Sequence, residues 1–197
     1  MKIVGAFLLV LFSLQGVSQN VSLDEIEEWY EFTSLEEALA KPDSVVRLRL
    51  RARLTEIPAE VFTAFPNLVE LNLSRNQLKA LPSAISMLKN VKRLIVDRNK
   101  LAALPPEIGQ MESLQELILN RNELSTLPKE IGKLKNLYLI DLWSNNIEDL
   151  PKSMKEMKNL KEVDLRVIDM SDERKEELRE MLPNVKVHLD KGCDCGN

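Results

Sequence analysis

The chain has few of the residues on which most enzyme chemistry depends. Its 197 residues include one histidine, two cysteines and six glycines, and no glycine-rich phosphate loop occurs in the sequence. The histidine, His188, and the cysteines, Cys193 and Cys195, all stand in or beside the C-terminal tail. Neither a Ser-His-Asp nor a Cys-His-Asn arrangement can therefore be assembled from the rest of the chain. The sequence predicts a protein that is not an enzyme and has no cofactor.

A strong basic charge and a membrane-spanning run are also missing. The formal net charge is −4, which disfavours nucleic acid and anionic membranes as partners. One apolar run, from Ile3 to Leu14, follows Lys2 and is too short to serve as a lasting membrane anchor. This run, with small residues up to Ser18, is typical of a secretory signal peptide. We predict that residues 1–18 are a signal peptide and that the protein is exported, periplasmic or secreted, without a membrane anchor.

The soft metal ligands near the C-terminus allow two interpretations. His188, Cys193 and Cys195 could offer three ligands to zinc or copper. A fourth ligand is missing, and residues 191–197 have the composition of a flexible tail, so we predict no metal site. In an oxidising compartment, a disulfide within the Cys193-Asp194-Cys195 motif or to a partner is the stronger expectation.

A leucine pattern with a period of 23 residues is the most abundant feature of the chain. Copies of L-x-x-L-x-L-x-x-N-x-L begin at Leu68, Val91, Leu114, Leu137 and Leu160, with Val45 one period upstream. Repetition in phase indicates a solenoid, in which each unit stacks on the next. The chain here resembles the leucine-rich repeat family, and the resemblance covers residues 45–167 as about six repeats.

The repeat positions predict an α/β solenoid. The L-x-L pairs alternate as short strands must, which predicts a parallel sheet on the concave face. A Leu-Pro pair follows each strand and predicts a short helix or 3-10 turn on the convex face, where proline's missing amide donor costs nothing. A ladder of buried asparagines is predicted to satisfy backbone groups where each strand ends. These asparagines are Asn76, Asn99, Asn122 and Asn145.

The convex motif LPxxIG is similar to the repeats of Ras-suppressor-type and Scribble-type scaffolds and of plant disease-resistance proteins. Those proteins act by holding other proteins, so the resemblance implies protein binding. Animal extracellular relatives usually carry cysteine-rich caps, which this chain lacks. The resemblance therefore implies a bacterial exported protein, which we expect to be a monomer.

The two ends of the solenoid are predicted to be capped. Residues 19–44 contain two capping-box patterns, at Ser22 and Ser34, which predict two short helices that cover the sheet edge. Trp29 is expected on the apolar face of the first helix and Leu39 on that of the second. Residues 168–190 predict a charged helix followed by a final strand.

The repeat phase also identifies the side chains of the concave face. Ile95 and Ile118 are expected side by side, flanked by charge, which is typical of an interaction site. The predicted partner-binding residues are Ile95, Asp97, Ile118, Asn120, Leu139, Asp141 and Trp143. The alternative is glycan binding, in which Trp143 and Tyr138 stack on sugar rings. It is also open whether Ile95 and Ile118 only stabilise the sheet and Trp143 only covers it.

Charge along the same face is predicted to be polarised. Arg47, Arg49 and Arg51 form a basic N-terminal end, and an acidic C-terminal end includes Asp141 and Asp164. Such polarity would orient a ligand. No hydrophobic pocket in the sequence predicts a raised pKa for either aspartate, so a role in recognition or solubility is favoured over acid-base chemistry.

Overall fold

One parallel sheet of eight strands organises residues 21–190, the part of the chain that the computed structural model describes. The strands are β1 (Glu31–Phe32), β2 (Arg47–Arg49), β3 (Glu70–Asn72), β4 (Arg93–Ile95), β5 (Glu116–Ile118), β6 (Leu139–Asp141), β7 (Glu162–Asp164) and β8 (Lys186–His188). They lie in chain order, and every neighbouring pair is parallel. From β2 to β7 the register follows the repeat, so that Leu71 lies opposite Leu94 and Leu94 opposite Leu117.

The convex face is made of 3-10 helices. The five that follow the repeat strands are Ala59–Phe62, Ser83–Met87, Pro106–Gln110, Lys129–Lys133 and Lys152–Glu156, and another, Pro42–Ser44, precedes β2. A proline precedes each of the five and occupies its N-cap position, where no amide donor is needed. The leucine-rich repeat solenoid predicted from the sequence is confirmed.

The core lies between the sheet and the convex turns. The middle residue of each repeat strand and the second leucine of each L-x-L pair point inward, as Leu71 and Leu73 illustrate by their complete burial. Ile85 and its equivalents close the core from the convex side. Each such side chain contributes about 1.5–3 kcal/mol by leaving water.

Neighbouring convex turns come closest at the glycines of the LPxxIG motif. A Cβ atom on Gly132 would lie 2.6 Å from the carbonyl oxygen of Ser153 and 2.7 Å from its Cβ atom. Gly109 stands in the same relation to Glu130. These glycines are therefore required by close packing between repeats, and both have negative φ angles.

The N-terminal cap differs from its prediction. Helices α1 (Leu23–Ile26) and α2 (Leu35–Leu39) are present, but β1 lies between them and forms the edge of the sheet. Because α1 has a single turn, Trp29 falls beyond it and is 38% exposed, so its predicted place on the apolar face is wrong. Leu39 is likewise exposed, while α2 buries Ala38.

The two N-terminal helix starts also differ from each other. Ser22 and Glu25 form a complete capping box at α1. At α2, the Ser34 hydroxyl accepts a hydrogen bond from the amide of Glu37, but the Glu37 carboxylate accepts from the Tyr30 hydroxyl instead of completing the box. The Glu37 carboxylate therefore binds the Tyr30 side chain in place of the backbone amide of Ser34.

The C-terminal cap consists of helix α3 (Asp172–Met181) and β8. Ser171 caps α3 by accepting a hydrogen bond from the amide of Arg174, and Leu178 and Leu182 are buried against the last repeat. Within residues 21–190, no helix has the length and apolar character needed to cross a membrane. The predicted signal peptide, and Cys193 and Cys195, lie outside the described residues.

Candidate partner-binding face

The concave face carries two regular rows of outward side chains along the strands. We call the first residue of each strand the first-position row: Glu31, Arg47, Glu70, Arg93, Glu116, Leu139, Glu162 and Lys186. The third residues of β2 to β8 form the third-position row: Arg49, Asn72, Ile95, Ile118, Asp141, Asp164 and His188. Because side chains alternate along a strand, both rows face away from the core.

The first-position row is an ion-pair ladder from β1 to β5. The carboxylate of Glu70, only 2% exposed, lies 2.9 Å from Arg47 and 3.0 Å from Arg93. Arg93 also contacts Glu116 at 2.5 Å. Burial opposes the charge of Arg93, but hydrogen bonds from its guanidinium to Glu116 and Glu70 outweigh this and raise its pKa. The side chains in this part of the row satisfy one another.

The predicted basic end of the face is largely neutralised. Glu31 of β1 lies 2.5 Å from Arg49 and 3.9 Å from Arg47. Of the three arginines predicted to form this end, Arg51 is exposed and takes part in no ion pair of residues 21–190. The prediction of a basic end failed because β1 supplies a carboxylate from outside the 23-residue phase. The alternation of Arg47, Glu70, Arg93 and Glu116 was, in contrast, visible in the sequence.

Tyr138 belongs to the same ladder. Its hydroxyl donates a short hydrogen bond to Glu116. Burial, together with this hydrogen bond and the Glu116 charge, raises the pKa of Tyr138 to about 12. The hydroxyl is therefore engaged inside the protein, at the end of the ladder.

Helix α1 and the segment before it lie against the start of the strands. Leu23 and Ile26 pack with Val46 and Val69. The ammonium group of Lys92 donates to the carbonyl of Val21 across 2.7 Å. The cap thus covers the start of the strands and leaves the third-position row uncovered by these contacts.

An aliphatic pair occupies the middle of the third-position row. Ile95 and Ile118 are register partners on β4 and β5, as predicted, and both are half-buried rather than fully exposed. Asp97 and Asn120 stand two residues further along the same strands, and Leu139 is in the first-position row of β6. The structure thus brings the predicted site residues together on β4 to β6 and the turns after them.

Asp141 is the next member of this row. Its carboxylate accepts hydrogen bonds from the side-chain amide of Asn120, at 2.6 Å, and from the backbone amide of Trp143, at 3.0 Å. Burial raises the pKa of Asp141 despite these bonds, and the charge of neighbouring Asp164 adds to the increase. The expectation of an unperturbed carboxylate was wrong because the side chain is half-buried between strands.

The pKa of Asp164, on the next strand, is shifted in the opposite direction. Burial acts to raise its pKa, but hydrogen bonds and charge from Arg166 outweigh burial and lower the pKa. The guanidinium of Arg166 lies 2.6 Å from this carboxylate. Two register partners, Asp141 and Asp164, therefore differ because one has an arginine partner.

Trp143 is half-buried and has an internal partner over its ring. The guanidinium carbon of Arg121 lies 4.4 Å from the ring centroid, a cation-π contact. Arg121 belongs to a column of residues with positive φ angles, which are Arg53, Arg75, Arg98, Arg121, Ser144 and Val167. This column is where each strand turns towards the convex side, so the arginines have a structural place in the turn. The sequence did not reveal the contact between Arg121 and Trp143.

The asparagine ladder lies behind the face and is buried. The Asn122 side-chain oxygen accepts from the amide of Leu101 at 3.1 Å, and its nitrogen donates to Val96 and Leu119 carbonyls at 2.9 and 2.8 Å. Asn76, Asn99 and Asn145 make corresponding bonds. Within residues 21–190, no group of three or more histidine, cysteine, aspartate or glutamate side chains could hold a metal ion.

The stacked parallel strands and the convex 3-10 helices define a solenoid repeat protein. The Leucine rich repeat family matches residues 44–101 and 89–147, more than half of the chain. The chain therefore belongs to the leucine-rich repeat family. Members of this family are generally protein-interaction modules and are typically not enzymes.

A solved structure agrees with this assignment. The leucine-rich repeat protein LIC12759 of Leptospira interrogans is 31% identical over 82% of this chain, with a TM-score of 0.68. The match covers 48% of that protein, so the present chain spans about half its length. A search of curated proteins finds no match.

Proposed function

We propose that the chain is a non-catalytic interaction module that binds a partner protein or peptide on its concave face. The observation that carries the proposal is the half-buried pair Ile95 and Ile118 beside Asp141, on a face whose other half is closed by internal ion pairs. Apolar side chains flanked by polar groups are typical of the centre of an interface. The proposed contact residues are Ile95, Asp97, Ile118, Asn120, Leu139, Asp141 and Trp143.

Two contacts favour a protein partner over the glycan alternative. Glycan stacking would use the rings of Tyr138 and Trp143, yet the Tyr138 hydroxyl is bound to Glu116 and Arg121 lies over the Trp143 ring. A sugar would have to compete with both contacts. An aliphatic side chain placed on Ile95 and Ile118 would disturb neither.

The test is a pull-down from the envelope and medium of the producing cell with the purified chain. It is compared with an Ile118→Asp, Trp143→Ala double variant whose folding is verified by circular dichroism. A matched control is Met87→Asp, which adds the same charge at an exposed methionine on the convex face. We expect a protein that is retained by the wild type and control but lost by the double variant. Equal retention by all three would contradict the proposed site, and retained polysaccharide without protein would favour the glycan alternative.

We propose in addition that the protein is exported after removal of residues 1–18. The support is the sequence itself, with Lys2, the apolar run from Ile3 to Leu14, and small residues up to Ser18. Mass spectrometry of protein from the producing cell's envelope and medium should find a chain that begins at Gln19. Recovery of the intact chain from the cytoplasm alone would contradict export.

A further inference from the structure

We infer that the partner presents a polypeptide segment with an aliphatic side chain for Ile95 and Ile118 and a lysine or arginine for Asp141. This inference rests on the proposed function and specifies the chemistry of the partner at that same site. Its basis is an apolar pair beside a carboxylate, Asp141, that forms no ion pair among residues 21–190 and that a basic side chain of the partner would complement in charge.

The charges of the first-position row from β1 to β5 are already paired with one another in the ladder. From β1 to β5 each carboxylate of that row has an arginine of the neighbouring strand within 4.0 Å, as Glu70 has on both sides. A partner that bound these carboxylates or arginines would first have to break their ion pairs. The free energy lost would exceed the free energy gained. Charge recognition is therefore expected at groups outside the ladder.

Asp141 is such a group. In residues 21–190 it forms hydrogen bonds with Asn120 and Trp143 but takes part in no ion pair. The guanidinium of Arg166 is bound to Asp164 and acts on Asp141 through its charge alone, which opposes the rise in the pKa of Asp141. The adjacent Asp164 carboxylate repels the charge of Asp141. A cation from a partner would therefore find in Asp141 a half-buried carboxylate that forms no ion pair among residues 21–190.

The position of Asp141 next to the isoleucines fixes the spacing of the partner's side chains. Ile95, Ile118 and Asp141 occupy consecutive places in one row, so neighbouring members are about 4.8 Å apart. In an extended segment that runs along the row, residues i and i+2 point to the same side and lie about 6.6 Å apart. An aliphatic side chain seated between Ile95 and Ile118 is 1.5 steps of the row, or about 7 Å, from Asp141. The segment thus carries its aliphatic and basic residues two positions apart.

A library of random dodecapeptides displayed on phage provides a defined probe. It is selected separately on the purified wild-type chain and on Asp141→Lys, Ile118→Asp and Glu148→Lys variants. Glu148 is exposed in the turn after the asparagine ladder, away from both rows, so its variant controls for the charge change alone. Circular dichroism verifies that each variant is folded.

We expect wild type and Glu148→Lys to enrich peptides with lysine or arginine two residues from an aliphatic residue. Asp141→Lys should lose these peptides and enrich acidic ones. For a selected peptide, Asp141→Asn should weaken binding about 5-fold to 10-fold at low salt, with a smaller loss at high salt.

The outcomes separate this inference from the proposed function. Peptides that require Ile118 but show no basic preference, or keep it with Asp141→Lys, would overturn the inference and leave the proposed function intact. Peptides that bind Ile118→Asp as well as wild type, or the absence of any enriched peptide, would count against both.

Discussion

The two rows of the concave face have the same strands and the same spacing but different partners. In the first-position row, Glu70 is buried between Arg47 and Arg93, and the charges from β1 to β5 satisfy one another. In the third-position row, Ile118 and Asp141 are only half-buried, and Asp141 has no ion-pair partner among the described residues. Both rows are predicted to be exposed by the repeat pattern, yet from β1 to β5 the charges of the first are already paired within the protein.

Exposure on a repeat sheet does not by itself identify a binding surface. A long side chain at a strand start reaches its neighbour across about 4.8 Å and forms a lateral pair. A short or aliphatic side chain forms no such lateral ion pair.

The largest effect is expected from breaking the ladder at Glu70. Glu70→Ala leaves the guanidiniums of Arg47 and Arg93, which are 16% and 15% exposed, facing each other without their shared carboxylate. We expect a loss of about 3 kcal/mol in the free energy of unfolding, measured in urea. Glu177→Ala, which breaks an exposed pair with Arg174 on α3, is the control and should cost less than about 1 kcal/mol. Equal losses in the two variants would contradict the ladder's role.

A smaller effect on stability is expected at Ile118. Ile118→Asp removes an aliphatic cross-strand contact with Ile95 from a half-buried position. We expect a loss of about 1 kcal/mol in urea unfolding, since one cross-strand pair contributes on that order. Leu117→Asp, at the adjacent inward position that is completely buried, should instead prevent stable folding. A loss at Ile118 as large as that at Leu117 would show that the isoleucine belongs to the core.

A smaller effect still is expected from uncovering Trp143. Arg121→Ala removes the guanidinium from the ring and should cost about 0.5 kcal/mol. The emission of Trp143, recorded in a Trp29→Phe background, should shift because the ring loses a covering group. Arg98→Ala changes the corresponding arginine one repeat earlier and serves as the control. The same shift with Arg98→Ala would contradict a specific contact.

The smallest effect is expected from the pKa shifts of Asp141 and Asp164, which change stability with pH in opposite directions. The raised pKa of Asp141 means that ionisation disfavours the folded state, so its stability contribution is lost as pH rises through that pKa. The lowered pKa of Asp164 gives a contribution that is present at neutral pH and lost as pH falls through that pKa.

Urea unfolding of Asp141→Asn and Asp164→Asn at neutral and acidic pH measures this difference. As the pH rises from acidic to neutral, the free energy of unfolding of Asp141→Asn should increase relative to that of the wild type. That of Asp164→Asn should decrease relative to the wild type. Parallel pH profiles for the two variants would contradict the role of Arg166, which alone distinguishes the two carboxylates by an ion pair.

The sequence predicted the features that repeat and missed those that occur once. Strand positions, the adjacency of Ile95 and Ile118, and the asparagine ladder all follow from the 23-residue phase, because each unit must bury its leucines against the next. Glu31 could not be placed, since β1 has two residues and lies outside the phase. Its absence from the prediction turned a neutralised region into an apparent basic end.

The extent of burial on the concave face and one side-chain contact outside the repeat pattern were also beyond the sequence. The raised pKa of Asp141 results from burial, which the alternation of residues does not quantify. The contact of Arg121 with Trp143 joins neighbouring repeats through two side chains, and a tryptophan stands at this position in one repeat only.

The unbroken register from β2 to β7 makes the length of the molecule an adjustable property. An additional copy of residues 114–136, inserted after residue 136, would meet the same leucines above and below and would add one strand of about 4.8 Å. The contacts of the N-terminal cap with Lys92 and Arg93 lie ahead of the insertion point, and the C-terminal cap lies beyond it. Duplication of a single 23-residue unit would thus yield a longer solenoid with a third aliphatic residue in its third-position row. Its concave face would be one strand wider, with both ends unchanged.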